Sequence, residues 1–143
     1  QKVCLIQLFK GESFYGEQNI LTKLVGVDFF SFAKKHPFCF KDISKQDAKQ
    51  DCFDAVNKIE EIIKNNIYDL VVLEEFNIAV RDGFIENSTL IDLAKKLSKK
   101  STVMITGRGA SKELIETADL VSEVLEIKHP YSKGIQAKEG IEF

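Results

Sequence analysis

The stretch from Asp69 to Phe84 places the tightest constraint on what this chain can fold into. It opens on Leu70-Val71-Val72-Leu73, a short apolar run rich in β-branched residues. Such a run reads as a strand buried on both faces, the condition of a strand inside a parallel sheet. The run breaks directly into two carboxylates, Glu74 and Glu75. Carboxylates are costly to bury without a partner. At the carboxyl end of a parallel strand they face the crevice in which open α/β sheets bind ligands. An apolar strand ending in acid is the Walker B arrangement, where an acid holds or orients Mg²⁺ on a nucleotide's phosphates. The same pattern also arises where an acid merely caps the next helix.

Around this stretch, strand and helix patterns alternate. Lys2 to Phe9 is apolar and β-competent through Val3, Leu5 and Ile6, with Lys10 to Ser13 as its exit loop. Glu17 to Val25 predicts a short amphipathic helix, and Val27 to Phe32 a second strand. Ala33 to Lys45 is irregular, punctuated by Pro37 and carrying His36, Phe38 and Phe40. Phe53, Val56, Ile59, Ile62 and Ile63 recur at helical spacing and predict a long helix from Asp47 to Asn65. Asn87 to Leu97 reads as a helix capped by Asn87 or Ser88, with lysines at its end. Ser101 to Thr106 predicts a fourth strand, Lys112 to Ala118 a helix, and Asp119 to Ile127 a fifth strand. The tail from Lys128 to Phe143 is broken by Gly134 and Gly140. The alternation predicts an α/β fold, a mostly parallel sheet with helices on both faces. With no repeat, linker or low-complexity segment, residues 1–143 read as one domain.

Composition narrows the partners. A net charge of -2 gives no positive field for nucleic acid or an anionic membrane. No apolar run is long enough to span a bilayer. The opening segment, Gln1 to Phe9, is too short and wrongly flanked for a signal peptide, and it begins without Met. Cys4, Cys39 and Cys52 are odd in number, widely spaced and without a CxxC, which suggests a reducing cytoplasm and small buried hydrophobes.

Three further segments could carry chemistry. Thr106-Gly107-Arg108-Gly109 lies where a strand yields to a helix. Its glycines let backbone approach a ligand, and arginine offers a fork for phosphate, although a plain tight turn has the same pattern. The loop from Lys34 to Lys41 mixes cations with aromatics, which either pack on the core as a lid or stack on a flat ligand. Lys128-His129-Pro130-Tyr131-Ser132-Lys133-Gly134 gathers cations and a phenol after the last strand, or is simply a solvated tail. His36 and His129 have no second histidine at ligand spacing. No GxSxG, HExxH or Cys–His signature occurs, and the sequence contains no GxxxxGK[ST].

Taken together, the sequence resembles the P-loop-type ATP:corrinoid adenosyltransferases, or cob(I)alamin adenosyltransferases. The resemblance is carried by Gln7 to Gly11, Gly16-Glu17, Leu70 to Phe84 and the block from Thr106 to Phe143. It implies a P-loop NTPase, RecA-like fold. It also implies an enzyme that transfers the 5′-deoxyadenosyl group of ATP to the cobalt of a reduced corrinoid, releasing triphosphate. The cobalt is the nucleophile, so the protein's part is positioning and charge stabilisation. By the resemblance, Glu74 and Glu75 match the acids ending the Walker B strand, with Glu75 the nearer to Mg²⁺. Phe38 and Phe40 match aromatics that pack beneath the corrinoid and displace its lower axial ligand, which eases reduction. Gln7, Lys10, Gly107, Arg108 and Gly109 would lie at the nucleotide, with Lys128, His129, Tyr131 and Lys133. The resemblance further brings a flavoprotein reductant and a homodimer.

The sequence departs from the family at several places. Glu74 stands for the usual Asp, Phe40 for Trp, Pro37 for the Gly before the Phe, and Lys41 for an acid. The family begins with a strand, a P-loop and a helix, and this chain begins at the strand that follows them. The resemblance places that earlier strand inside the sheet, between Ser101–Thr106 and Asp119–Ile127. Two other readings remain: a P-loop-less corrinoid binder or carrier without transferase activity, and an ATPase domain of another P-loop group.

Overall fold

In the computed structural model, which describes residues 1–11, 16–33, 35–38, 40, 42–65, 67–136 and 138, four strands make one sheet. They are β1 (Val3–Leu8), β2 (Val27–Phe32), β3 (Leu70–Glu74) and β4 (Thr102–Ile105). Their order is β2-β1-β3-β4, and every pairing is parallel. The helices α1 (Gly16–Leu21), α2 (Lys45–Asn65), α3 (Phe76–Arg81), α4 (Asn87–Leu97) and α5 (Lys112–Thr117) lie between and after them. The α/β architecture expected from the alternation is the one observed.

Register fixes which side chains share a face. Cys4, Ile6, Val71 and Leu73 alternate onto one face with Phe30, Val103 and Ile105. On this face α2 and α4 pack, burying Ala48, Cys52, Ala55, Ile59, Leu90 and Leu93 with the strand residues. Lys58 of α2 reaches over the Phe30 ring at 4.5 Å. The opposite face carries Leu5, Gln7, Val72 and Glu74, where Leu5 and Val72 are only partly buried. There α1 closes the end of the sheet through a hydrogen bond from Gln18 Nε2 to Gln7 Oε1, 2.7 Å.

Several elements differ from the sequence expectation. Asp119 to Ile127 forms no strand: the segment is exposed, with Leu120 at 85% and Val124 at 95%. A β-competent pattern becomes a strand only beside a ladder, and β4 has no second neighbour among the described residues. The first helix stops at Leu21 and turns through Gly26 instead of running to Val25. Phe53, placed by spacing on the buried stripe of α2, is 57% exposed. The cap of α4 is Glu86, without a side-chain bond. Asn87 instead accepts from Ser111 Oγ (2.7 Å) and donates to Glu113 (3.3 Å), tying α4 to α5. Helix α3 is unforeseen by the pattern. At the start of α2, Ser44 Oγ accepts from the Asp47 N–H at 3.0 Å, a side-chain cap.

Cys4 and Cys52 are buried and unpaired, and burial pushes both thiols up to about 12. Cys39, Lys34, Lys41 and the end of the tail, residues 139–143, lie outside the described residues. Among the described residues no helix is long and apolar enough to cross a membrane.

Candidate active site

Glu74 is the last residue of β3, and α3 begins at Phe76. The single residue between them, Glu75, has φ 65 and ψ 15. A left-handed conformation costs a residue with a Cβ about 1–2 kcal/mol, so the surroundings must hold it. They do so from the Thr106–Gly107 turn. Glu75 N–H reaches Thr106 Oγ1 at 3.3 Å, and Asn77 N–H reaches Thr106 O at 3.2 Å. Asn77 Nδ2 donates to Gly107 O at 3.1 Å, and Thr106 N–H to Leu73 O at 3.0 Å. The turn lies backbone against backbone on the acid junction. Gly107 has φ 121, and a Cβ there would stand 3.2 Å from Glu75 Cα and 3.3 Å from Asn77 N. Gly107→Ala is therefore expected to cost about 1–3 kcal/mol of stability and to lower activity by moving Glu75. Urea denaturation of the two proteins checks this, and equal midpoints would remove the constraint.

The two acids have different surroundings. Both oxygens of Glu74 are engaged: Oε2 accepts from Gln7 Nε2 at 2.6 Å and Oε1 from Lys10 Nζ at 2.9 Å. Lys10 Nζ also donates to Glu17 Oε1 at 3.1 Å. Burial works against the charged form of Lys10, but the hydrogen bonds to Glu74 and Glu17 outweigh it and hold the ammonium above its usual value. The fully buried Gln7 is satisfied at both ends, by Glu74 and Gln18. Glu75 is the contrast. Its Oε2 is buried with no hydrogen-bond partner. Burial, then the charge of Glu74, pushes its carboxyl above the usual range, while Lys10, Arg108 and Arg81 pull the other way. Asn77 Oδ1 beside it is likewise buried without a partner. Two orphaned acceptors at the end of a parallel strand call for a ligand, ion or water.

Beyond Gly107, Arg108 is exposed and Gly109 has φ 79. A Cβ on Gly109 would stand 2.9 Å from Arg81 Cδ, so the arginine stem lies against this turn. Ser111 Oγ then caps α5 by accepting from Leu114 N–H at 3.1 Å.

The loop after β2 presents its aromatics outward. Phe38 is 65% exposed and Phe40 44%. Lys45 Nζ stands 5.0 Å from the Phe38 ring centroid, and Lys35 Nζ 5.1 Å from that of Phe40. Of the two sequence readings, a lid packed on the core does not describe these two rings. His36, between them and the core, is buried, as is Ala33 at the start of the loop.

The fold thus gathers Gln7, Lys10, Glu74, Glu75 and the Gly107–Arg108–Gly109 turn at one end of the sheet. Lys128, His129, Tyr131 and Lys133 stand in an exposed 3-10 turn region, Pro130–Lys133, with local bonds such as Tyr131 N–H to His129 Nδ1 at 3.1 Å. Asn77, Gln18 and the Arg81–Asp82 pair were not legible in the sequence, because their roles come from contacts with Gly107, Gln7, His36 and Gly109 on other elements. The uncommon Asn at the start of a helical segment was the available signal for Asn77.

A family model described as ATP:corrinoid adenosyltransferase BtuR/CobO/CobP matches residues 1–143. The chain is 33% identical over 142 residues to a corrinoid adenosyltransferase of Sinorhizobium sp, covering 97% of this chain and 65% of that protein. It is 29% identical over 143 residues to one of Pseudomonas aeruginosa, covering 99% and 70%. It is 27% identical over 143 residues to one of Escherichia coli (strain K12), covering 100% and 71%. The chain therefore spans about two thirds of the length of these curated relatives.

Proposed function

The chain belongs to the ATP:corrinoid adenosyltransferase BtuR/CobO/CobP family, and from that premise we propose that it serves the transfer of the 5′-deoxyadenosyl group of ATP to the cobalt of a reduced corrinoid. The observation that carries the reading is the buried, unpartnered Oε2 of Glu75 just after β3, set against the Gly107–Gly109 turn. The bond that forms joins cobalt to the 5′ carbon, the bond that breaks joins that carbon to oxygen, and triphosphate leaves with the electron pair.

The residues divide this work. Mg²⁺ is held through one or two carboxylates and completes its shell with phosphate oxygens and water. Glu75, whose buried Oε2 has no protein partner, fits that role, and the chemistry the ion would supply is neutralisation of the leaving triphosphate. Each oxygen of Glu74 has one acceptor position left after Gln7 and Lys10, enough for a water-mediated contact to the same ion. Lys10 and Arg108 place positive charge beside the phosphates, and the glycines of the turn let their backbone come close. Lys128, His129, Tyr131 and Lys133 would join the nucleotide by closure of the exposed segment. Phe38 and Phe40 offer exposed aromatic surface to the underside of a corrinoid. A flavoprotein reductant, a homodimer and a cytoplasmic setting complete the reading.

The full-length native protein, given MgATP and cob(I)alamin, is expected to form the adenosylated corrinoid and triphosphate in equal amounts; absence of both overturns the proposal. Phe38→Ala and Phe40→Ala are expected to lose the spectral change that marks departure of cobalt's lower ligand, with little change in melting temperature. A stability loss of about 3 kcal/mol or more would mark them as core residues instead.

A further inference from the structure

His36 occupies an unusual position for a loop residue. Its ring is packed edge-on against Phe9, centroids 4.7 Å apart, and against Phe84 at 5.6 Å, and it lies tilted on Phe38 at 5.2 Å. Its Nδ1 accepts from the Phe38 N–H at 3.2 Å, which leaves Nε2 as the N–H facing Asp82. That nitrogen lies 2.9 Å from Asp82 Oδ2, within ion-pair range though off the line of a well-aligned hydrogen bond. Asp82 ends α3, and its carboxylate is gripped by Arg81 through Nε at 2.7 Å and a second guanidinium nitrogen at 2.8 Å. The stem of Arg81 fills the space beside Gly109.

We propose that His36 is a positioning residue: it sets where Phe38 stands and, through Asp82 and Arg81, ties the Phe38–Phe40 loop to the Gly107–Gly109 turn. The inference rests on the corrinoid reading of that loop given above. Phe38 and Phe40 are exposed, so their own packing cannot fix them. The fixed points are the buried imidazole beneath Phe38 and the hydrogen bond from Phe40 N–H to His36 O at 3.1 Å. Both aromatic residues are thus held from His36, one through its ring and one through its carbonyl. At the other end, α3 is only six residues long and runs from the Glu75 junction to Asp82. A shift of the imidazole is passed by direct contact to the Asp82 carboxylate, to the guanidinium and to the glycine turn. A histidine serving only to fill the core would need neither the carboxylate nor the arginine behind it.

The test uses the native protein, cob(II)alamin and MgATP, with variants His36→Ala, His36→Gln and Asp82→Asn. His36→Ala is expected to weaken corrinoid binding about tenfold or more and to abolish the lower-ligand spectral change. His36→Gln, which returns an N–H toward Asp82, is expected to recover part of the spectral change. Without any ligand, amide exchange at Phe38 and Phe40 is expected to quicken in His36→Ala and in Asp82→Asn, with β1 and β3 unchanged. If wild type binds corrinoid and His36→Ala binds it equally well, the inference falls alone. If exchange quickens equally throughout the sheet, or loop protection ignores Asp82→Asn, His36 is a core residue and the tether is wrong. If wild type itself binds no corrinoid, the functional reading falls and this inference with it.

Discussion

Glu75→Gln is expected to abolish adenosyl transfer, by about 100-fold or more, in a protein that melts no lower than wild type. The two halves of this expectation come from the same atom. Glu75 Oε2 is buried and has no hydrogen-bond partner, so the folded chain carries a carboxylate whose desolvation outweighs the pull of Lys10, Arg108 and Arg81. Its carboxyl is held above the usual range chiefly by burial. A carboxyl so raised is protonated more readily in the folded state than in the unfolded one. Between its unfolded and folded values stability therefore falls as pH rises, and above the folded value the full penalty remains. The amide carries no such charge. At neutral pH the variant should equal or exceed wild type in stability, and the gap should close as pH is lowered through the folded value. A structural acid would behave oppositely, losing stability on substitution. Melting curves across pH, read beside transfer assays, separate the two. A folded Glu75→Gln protein with near-normal turnover would remove Glu75 from the metal site.

A polypeptide of residues 1–143 made by itself is expected to bind MgATP weakly, to show no transfer, and to self-associate. The sequence has no GxxxxGK[ST], the loop whose backbone N–H groups and lysine grip phosphates. The sheet also carries an open side. Thr102 and Met104 of β4 are exposed, and no strand pairs with its outer edge among the described residues. The apolar stretch through Leu120, Val124 and Ile127 lies exposed as well. An unpaired edge with apolar residues nearby is a template for another chain. Calorimetry with MgATP and sedimentation over a range of concentrations measure both expectations. Tight binding with turnover would place the phosphate cradle within these residues, and a monomer at high concentration would show that the edge is otherwise protected.

The contrast between elements shows what one sequence can disclose. Strands β1 to β4 and helix α4 were readable because each rests on a local pattern: β-competent runs, helical spacing and lysines at a helix end. The Asp119–Ile127 segment has a comparable pattern and is no strand, because a strand needs a neighbour and the pattern carries no information about one. Helix α3 was hidden because it starts one residue after β3, through a left-handed Glu75 that no capping residue announces. The acids and the glycine turn were visible as chemistry. Their division of labour was not, since it depends on Gln7 and Lys10 meeting Glu74 from 67 and 64 residues away. The burial of His36 beneath an exposed Phe38 is of the same kind, a long-range arrangement between a loop and the end of α3.

The two buried thiols supply a clock for the opening of this core. Cys4 sits on β1 and Cys52 on α2, on either side of the same interface, and both are held far from the thiolate that reagents attack. A maleimide or disulfide reagent therefore meets them only in molecules that have momentarily come apart. When closing outruns labelling, the rate at each site reports the free energy of the opening that exposes it. With Cys39 replaced by Ser, the two remaining rates can be compared directly. Equal rates mean that strand and helix part in one event; faster labelling of Cys52 means that α2 lifts from the sheet while β1 is still in place.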